Sequence, residues 1–233
     1  MGAGMSITDK VRSWFERPGD HDAFPPPGLS SPRMERKMKP TAPEIRNSRG
    51  LEQFVANLRD LMGLNILDLA GANQENISFL TNLGHRVYSM DLPKAIENAF
   101  GTEPAGQANA RAQQDFLDEH FNYLPDTFDG VLLWDSLQYM SPSLLQGTID
   151  RIHHVTTPKA SLLAFFNADE RALEVPSYAF RILDPQTVSL TLRGMRVPGQ
   201  TYNNRNIEKA FGRFDSVKLF LTKDNLREVV VRR

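Results

Sequence analysis

The chain has 233 residues and a mass of 26.3 kDa, enough for one domain with a large core that hides roughly 70% of its unfolded surface. Its 28 acidic and 27 basic residues balance, which disfavours a general polyanion binder. The absence of cysteine excludes disulfides, thiolate catalysis and every cysteine-ligated metal. The histidines at 21, 85, 120, 153 and 154 form no H-E-x-x-H pair, and no metal site is expected. No apolar run is long enough to span a bilayer, and the start lacks the basic-then-apolar order of a secretory signal, so a cytoplasmic protein is expected.

Residues 1–48 read as a proline-rich, basic arm. The first fifty residues hold 7 of the 15 prolines, including Pro25, Pro26 and Pro27, and 9 basic against 6 acidic residues. Each proline fixes its own φ and removes a donor, so no packed sheet is expected between about 18 and 48. Val11, Trp14 and Phe15 have the spacing of a short helix that docks on the body or shields a pocket.

From 49 to 233 the pattern becomes that of one folded domain. Leu51, Phe54, Val55, Leu58, Leu61 and Met62 mark an amphipathic helix that ends near Gly63. Asn65 to Leu69 reads as a strand, Glu75 to Leu83 as a helix closed by Gly84, and Arg86 to Met90 as a second strand. A weak helix follows over Leu92 to Phe100, then a short third strand over Arg111 to Gln114 and a clear fourth over Phe128 to Trp134. Ser141 and Pro142 cap and open a helix carrying Leu144, Leu145, Ile149 and Ile152, and Lys159 to Phe166 is the fifth strand. Strands alternating with helices imply a mostly parallel sheet covered on both faces.

The last third breaks this rhythm. Tyr178 to Leu183 and Val188 to Arg193, around Asp184-Pro185, read as a β-hairpin added to the sheet, within an insertion of about 171–203. Asn204 to Phe211 reads as a helix. Ser216 to Leu221 and Arg227 to Val231 are separated by too short a span for a helical crossover, so they must pair antiparallel.

In open sheets of this kind, ligands bind beyond the carboxyl ends of the strands. There the chain places Asp68 with the small residues Ala70, Gly71 and Ala72, and Asp91, 23 residues beyond Asp68. It also places Asp115-Phe116 and Asp135 at this edge. Small residues let backbone donors approach a ligand, and an acid at the end of the second strand accepts the two hydroxyls of a ribose. Each has a structural role open to it as well. Asp68 can bind the amides of its own loop, Asp91 can cap the next helix, and Phe116 and Trp134 can be core. His153 and His154 lie away from this edge and read as structural or solvent-facing.

These segments resemble the class I S-adenosylmethionine-dependent methyltransferases: L-D-L-A-G-A-N-Q-E-N-I-S-F-L from Leu67, H-R-V-Y-S-M-D ending at Asp91, Q-D-F at 114–116, F-D-G-V-L-L-W-D-S-L-Q-Y-M at 128–140, and the closing hairpin. The resemblance spans about residues 50 to 233. It implies an α/β, Rossmann-like three-layer sandwich with a mostly parallel seven-stranded sheet, an antiparallel terminal hairpin and an inserted β-hairpin. It also implies S-adenosyl-L-methionine as cofactor. Asp68, Ala70, Gly71, Ala72 and Asn73 would line its methionine part, and Asp91 would hold the ribose with Leu92 beside the adenine. Asp115 would meet the adenine amino group, Phe116 would flank the ring, and Asp135 and Ser136 would lie near the methionine end. The family's glycines in G-x-G-x-G are replaced here by Ala70, Ala72 and Gln74, leaving Gly71 between them.

The implied activity is methyl transfer to a small or medium-sized acceptor, with Tyr139, Asn167, Arg171 and Tyr202 as candidate acceptor contacts. Arg181, Arg193, Arg196 and Arg205, on or after the inserted hairpin, are suited to a carboxylate or phosphate on the acceptor, or to surface ion pairs. The altered glycine loop leaves open a noncatalytic module that binds a protein partner, and the hairpin also suits a homodimer contact. A nicotinamide oxidoreductase is disfavoured by the missing glycines and the antiparallel end. DNA-base methylation is disfavoured because W-D-S-L offers no N/D-P-P-Y-like tetrad, so a nucleic-acid partner is not expected.

Overall fold

A computed structural model describes residues 42–222 and 225–233. The Val11, Trp14 and Phe15 patch and the proline run lie outside the described residues.

The chain enters through β1 (Glu44–Asn47) and α1 (Arg49–Leu58). It continues with β2 (Asn65–Asp68), α2 (Gln74–Asn82), β3 (Arg86–Ser89), α3 (Leu92–Phe100) and α4 (Ala110–His120). Next come β4 (Phe128–Trp134), α5 (Pro142–Val155), β5 (Thr156–Asn167), β6 (Val175–Asp184) and β7 (Thr187–Arg196). The chain closes with α6 (Asn204–Ala210), β8 (Ser216–Leu221) and β9 (Leu226–Arg232). The main sheet has the order β3-β2-β4-β5-β9-β8. β2, β3, β4 and β5 run parallel, and β9 is antiparallel to both β5 and β8, as the short final connection requires. No helix of the described residues is long and apolar enough to cross a membrane.

Alternation along the strands divides the core. Leu67, Val131, Leu133, Leu162, Ala164 and Val229 face one layer, with Ile96, Phe116, Ile149 and Ile207 from α3 to α6. Ile66, Leu132, Trp134, Leu163, Phe165 and Val230 face the other, with α1 and the apolar residues of β6 and β7. The sheet is thus a three-layer arrangement of Rossmann type.

Three expectations are corrected. The span 111–114 belongs to α4, whose start is capped by Asn109 accepting from Arg111 N and Ala112 N; its Gln113, Phe116 and Leu117 are buried at helical spacing. The main sheet therefore has six strands, not seven. The inserted hairpin joins β1 in a separate three-stranded antiparallel sheet of order β1-β7-β6, because Phe180, Ile182, Val188 and Leu190 are buried in the layer beneath Trp134 and Phe165.

The third correction is β1 itself, a strand inside the span where none was expected. Its junction with α1 is tied to β9 by the wholly buried Glu228, which accepts from Ser48 Oγ at 3.0 Å and Gly50 N at 2.6 Å, with Arg46 3.7 Å from its other oxygen. A carboxylate there satisfies the open amide groups of a helix start. A side chain at Gly50 would meet Leu163 at 2.9 Å, so the close approach of α1 to the sheet requires glycine.

Candidate functional site

β2 and β4 end side by side, and three acidic residues follow the strand ends. Asp68 closes β2 and is wholly buried. Its Oδ1 accepts from Trp134 Nε1 at 2.7 Å and Ala70 N at 3.1 Å, and its Oδ2 from Asn76 Nδ2 at 3.2 Å. Burial raises its pKa above the ordinary carboxylate value, with the bonds from Ala70, Trp134 and Asn76 pulling the other way. Trp134 presents its indole from a left-handed backbone, φ 49°, at the last residue of β4. For a bulky side chain that conformation is costly, about 1–3 kcal/mol, and such strain gathers at functional sites.

The loop after β2 turns back along β3. Gly71 N donates to Met90 O, Leu92 N donates to Leu69 O, and Ala70 bridges Asp91. Gly71 carries the loop's one positive φ, +90°. A methyl there would lie 3.2 Å from Asp91 Oδ2. Ala70 and Ala72 have ordinary backbone angles and need no glycine. Asn73 caps α2, accepting from Glu75 N and Asn76 N. Asp91 caps α3 through Oδ1, which accepts from Lys94 N at 3.0 Å, and turns Oδ2 toward Gly71.

Asp135 follows β4, 3% exposed. Its Oδ2 accepts from Tyr139 Oη at 2.7 Å and from Tyr178 N of β6 at 3.0 Å. Burial pushes the carboxyl up to about 6, against the pull of those two bonds and of the Arg193 charge. Gln138 donates to Tyr139 Oη at 2.9 Å and accepts from Asn167 N at 3.0 Å, joining the end of β5 to the same network. The Arg196 guanidinium lies 4.7 Å from the centre of the Tyr139 ring. Ser136 is wholly buried, and its Oγ has no hydrogen-bond partner among the described residues.

The sequence-predicted residues therefore divide. Asp68, the loop Ala70 to Asn73, Asp91, Asp135, Ser136 and Tyr139 stand along one edge of the sheet. Leu92 points into the core, wholly buried. Asp115 lies on α4 with its side chain 73% exposed, 4.0 Å from Arg111, so it follows no strand. Phe116 is core and stacks on His120 at 4.4 Å. Tyr202 is buried against Phe166, donates to Leu137 O at 2.8 Å, and its carbonyl accepts from Arg227. Arg171 is exposed on the loop after β5, its amide bonded to Asp169.

Asn76 was missed. Besides Asp68 it contacts β6, donating to Phe180 O at 3.2 Å and accepting from Ile182 N at 2.8 Å. Its signal in the sequence was a polar residue on the buried face of α2. Trp134 was read as core only. It stacks on Phe180 at 4.9 Å, as core would, but its nitrogen also serves Asp68.

The fold is a Rossmann-like α/β arrangement, a mostly parallel six-stranded sheet with helices on both faces. No family model matches the chain, and no curated protein matches it. Similar solved structures include the 1,6-didemethyltoxoflavin-N1-methyltransferase of Burkholderia thailandensis, bound to 1,6-didemethyltoxoflavin and S-adenosylhomocysteine. It is 15% identical, with 79% of this chain and 76% of that chain covered and a TM-score of 0.45. A SAM-dependent methyltransferase from Archaeoglobus fulgidus is 10% identical, covering 78% and 91%, with a TM-score of 0.49. A glycopeptide N-methyltransferase complexed with S-adenosylhomocysteine is 12% identical, covering 78% and 87%, with a TM-score of 0.46.

Proposed function

We propose that the chain binds S-adenosylmethionine at this edge and transfers its methyl group to a small or medium-sized acceptor. One observation carries the reading: Asp91 Oδ2 stands at the end of β3 facing Gly71, where a methyl would come within 3.2 Å of it. A carboxylate beside bare backbone at adjacent strand ends suits a ribose, whose vicinal hydroxyls donate to it. The orphaned Ser136 Oγ is a second fit, a buried hydroxyl that needs a partner at the end of β4.

When bound, S-adenosylmethionine supplies a sulfonium methyl already activated for displacement. The work left to the protein is alignment and exclusion of water. Asp91 would hold the ribose, and Gly71 would let the backbone approach the ligand. Ser136 Oγ would bond near its methionine end. The β6–β7 pair, latched to Asp135 through Tyr178 N and to Asn76 through Phe180 O and Ile182 N, would cover the crevice. Asp68 acts on the protein itself, its oxygens taken by Trp134, Ala70 and Asn76.

Calorimetric titration with S-adenosylmethionine and S-adenosylhomocysteine, with NADH as control, tests the reading. Micromolar binding of either adenosyl compound with no response to NADH is expected. No binding by well-folded protein overturns it.

A further inference from the structure

Arg193 and Arg196 lie three positions apart on β7, a spacing that sends side chains of a regular strand to opposite faces. The ladder is not regular there. Tyr178 faces Leu192 and Ser177 faces Gly194, leaving Arg193 as the extra residue of a bulge. Bulges re-aim side chains beside sites, and both arginines reach the same edge of the main sheet. Arg193 Nη2 lies 3.4 Å from Ala70 O, and its charge acts on Asp135. Arg196 covers the Tyr139 ring at 4.7 Å and approaches Glu97 of α3 at 3.8 Å.

The two guanidiniums differ in how far they are engaged. Arg193 spends one donor on a long bond to a neutral carbonyl and, among the described residues, has no carboxylate within ion-pair distance. Arg196, its side chain 14% exposed, lies over the Tyr139 ring and makes one long ion pair, 3.8 Å, to Glu97, a side chain 52% exposed. Arg181, on the neighbouring strand, is by contrast paired with Glu75 at 3.3 Å. The two guanidiniums flank the sheet edge between the Ala70-Gly71 loop and Tyr139.

We propose that Arg193, with Arg196 behind it, binds the carboxylate of a ligand lying at that edge. The planar fork matches a carboxylate bidentately. Asp135 and Glu97 offset much of the positive charge, which suits a singly charged group better than a phosphate dianion. The carboxylate comes from one of two sources, the amino-acid end of an adenosyl ligand or the methyl acceptor. The first source rests on the adenosyl reading above; the second does not.

The test is calorimetry on the full chain and on its Arg193→Gln and Arg196→Gln variants, each first shown to melt like the parent. Two ligand pairs differ only in the carboxylate-bearing part: S-adenosylhomocysteine against 5′-methylthioadenosine, and 4-hydroxybenzoate against 4-hydroxybenzamide. The parent is expected to prefer the carboxylate member of at least one pair, and Arg193→Gln to abolish that preference with a loss of about tenfold or more. Arg196→Gln should lose less. Loss confined to S-adenosylhomocysteine assigns the cofactor's carboxylate, and loss confined to 4-hydroxybenzoate assigns the acceptor's. Selective binding of 4-hydroxybenzoate by a parent that binds neither nucleoside supports the arginine site and overturns the adenosyl reading. A parent that distinguishes neither pair, or an Arg193→Gln variant that keeps the preference, overturns the proposal.

Discussion

Trp134 Nε1 donates to Asp68 Oδ1 at 2.7 Å, joining the carboxyl ends of β2 and β4. The bond is made by a residue held at φ 49°, so the backbone strain is offset by a charge-assisted bond in a water-free setting. Trp134→Phe keeps an aromatic ring against Phe180 and removes the donor together with part of the buried indole's volume. Asp68 is then left buried one partner short, at a cost of about 1–3 kcal/mol. Urea unfolding should show a lower midpoint at unchanged slope; an unchanged midpoint would mean that the bond makes no net contribution.

Gly71→Ala should be the one damaging methyl in the loop after β2. It forces a Cβ onto φ +90° and within 3.2 Å of Asp91 Oδ2, costing about 1–2 kcal/mol and weakening adenosyl binding. Ala72→Gly should not raise adenosyl affinity, because Ala72 already has ordinary backbone angles. A marked gain in affinity on Ala72→Gly would show that the alanine's methyl, not the backbone, limits the site.

These positions explain what could be read from the sequence. The apolar runs ending at Asp68 and Asp135 are the buried parallel strands β2 and β4, while β3 before Asp91 is an exposed edge strand; strand ends are where an open sheet exposes chemistry, so the positions of these three acids were legible. The span 111–114 was not, because four residues cannot separate a strand from the first turn of a helix. The better signal was Asn109 as a cap with Gln113, Phe116 and Leu117 behind it. β1 carries a single apolar residue, Ile45, which is 66% exposed. Its place is set by backbone pairing with β7 and by Glu228, 180 residues beyond Ser48. Asn76 is the same case: its role exists only once β6 lies against α2.

Asp91 serves the fold and, in the proposed function, the ligand, and two variants separate these duties. Asn caps helices as well as Asp does, so Asp91→Asn should keep the bond to Lys94 N and the stability of α3. Asp91→Ala should lose about 1 kcal/mol with the cap. Both should lose tenfold or more in affinity for S-adenosylhomocysteine, since both lack the carboxylate that would accept two ribose hydroxyls. If Asp91→Asn binds as the parent does, Asp91 is a cap and the ribose assignment falls.

The raised pKa of Asp135 fixes the sign of a pH effect. The folded state holds the proton up to about pH 6, whereas the unfolded chain releases it near the ordinary carboxylate value, about 3.9. Between those values the native state binds more protons than the unfolded one, so this group's stability contribution is complete at low pH and is lost as pH rises through about 6. The shift corresponds to about 3 kcal/mol. Asp135→Asn removes the titration while leaving an oxygen for Tyr139 Oη and Tyr178 N. The groups facing Asp135 are Tyr139, whose own pKa burial raises further from neutrality, and the Arg193 guanidinium. Subtracting the variant's unfolding free energy from the parent's cancels the many other carboxylates. That difference should fall by about 2 kcal/mol between pH 4 and pH 7. A difference that stays flat over this range would place the Asp135 carboxylate in contact with water and remove it from the latch that holds β6 over the crevice.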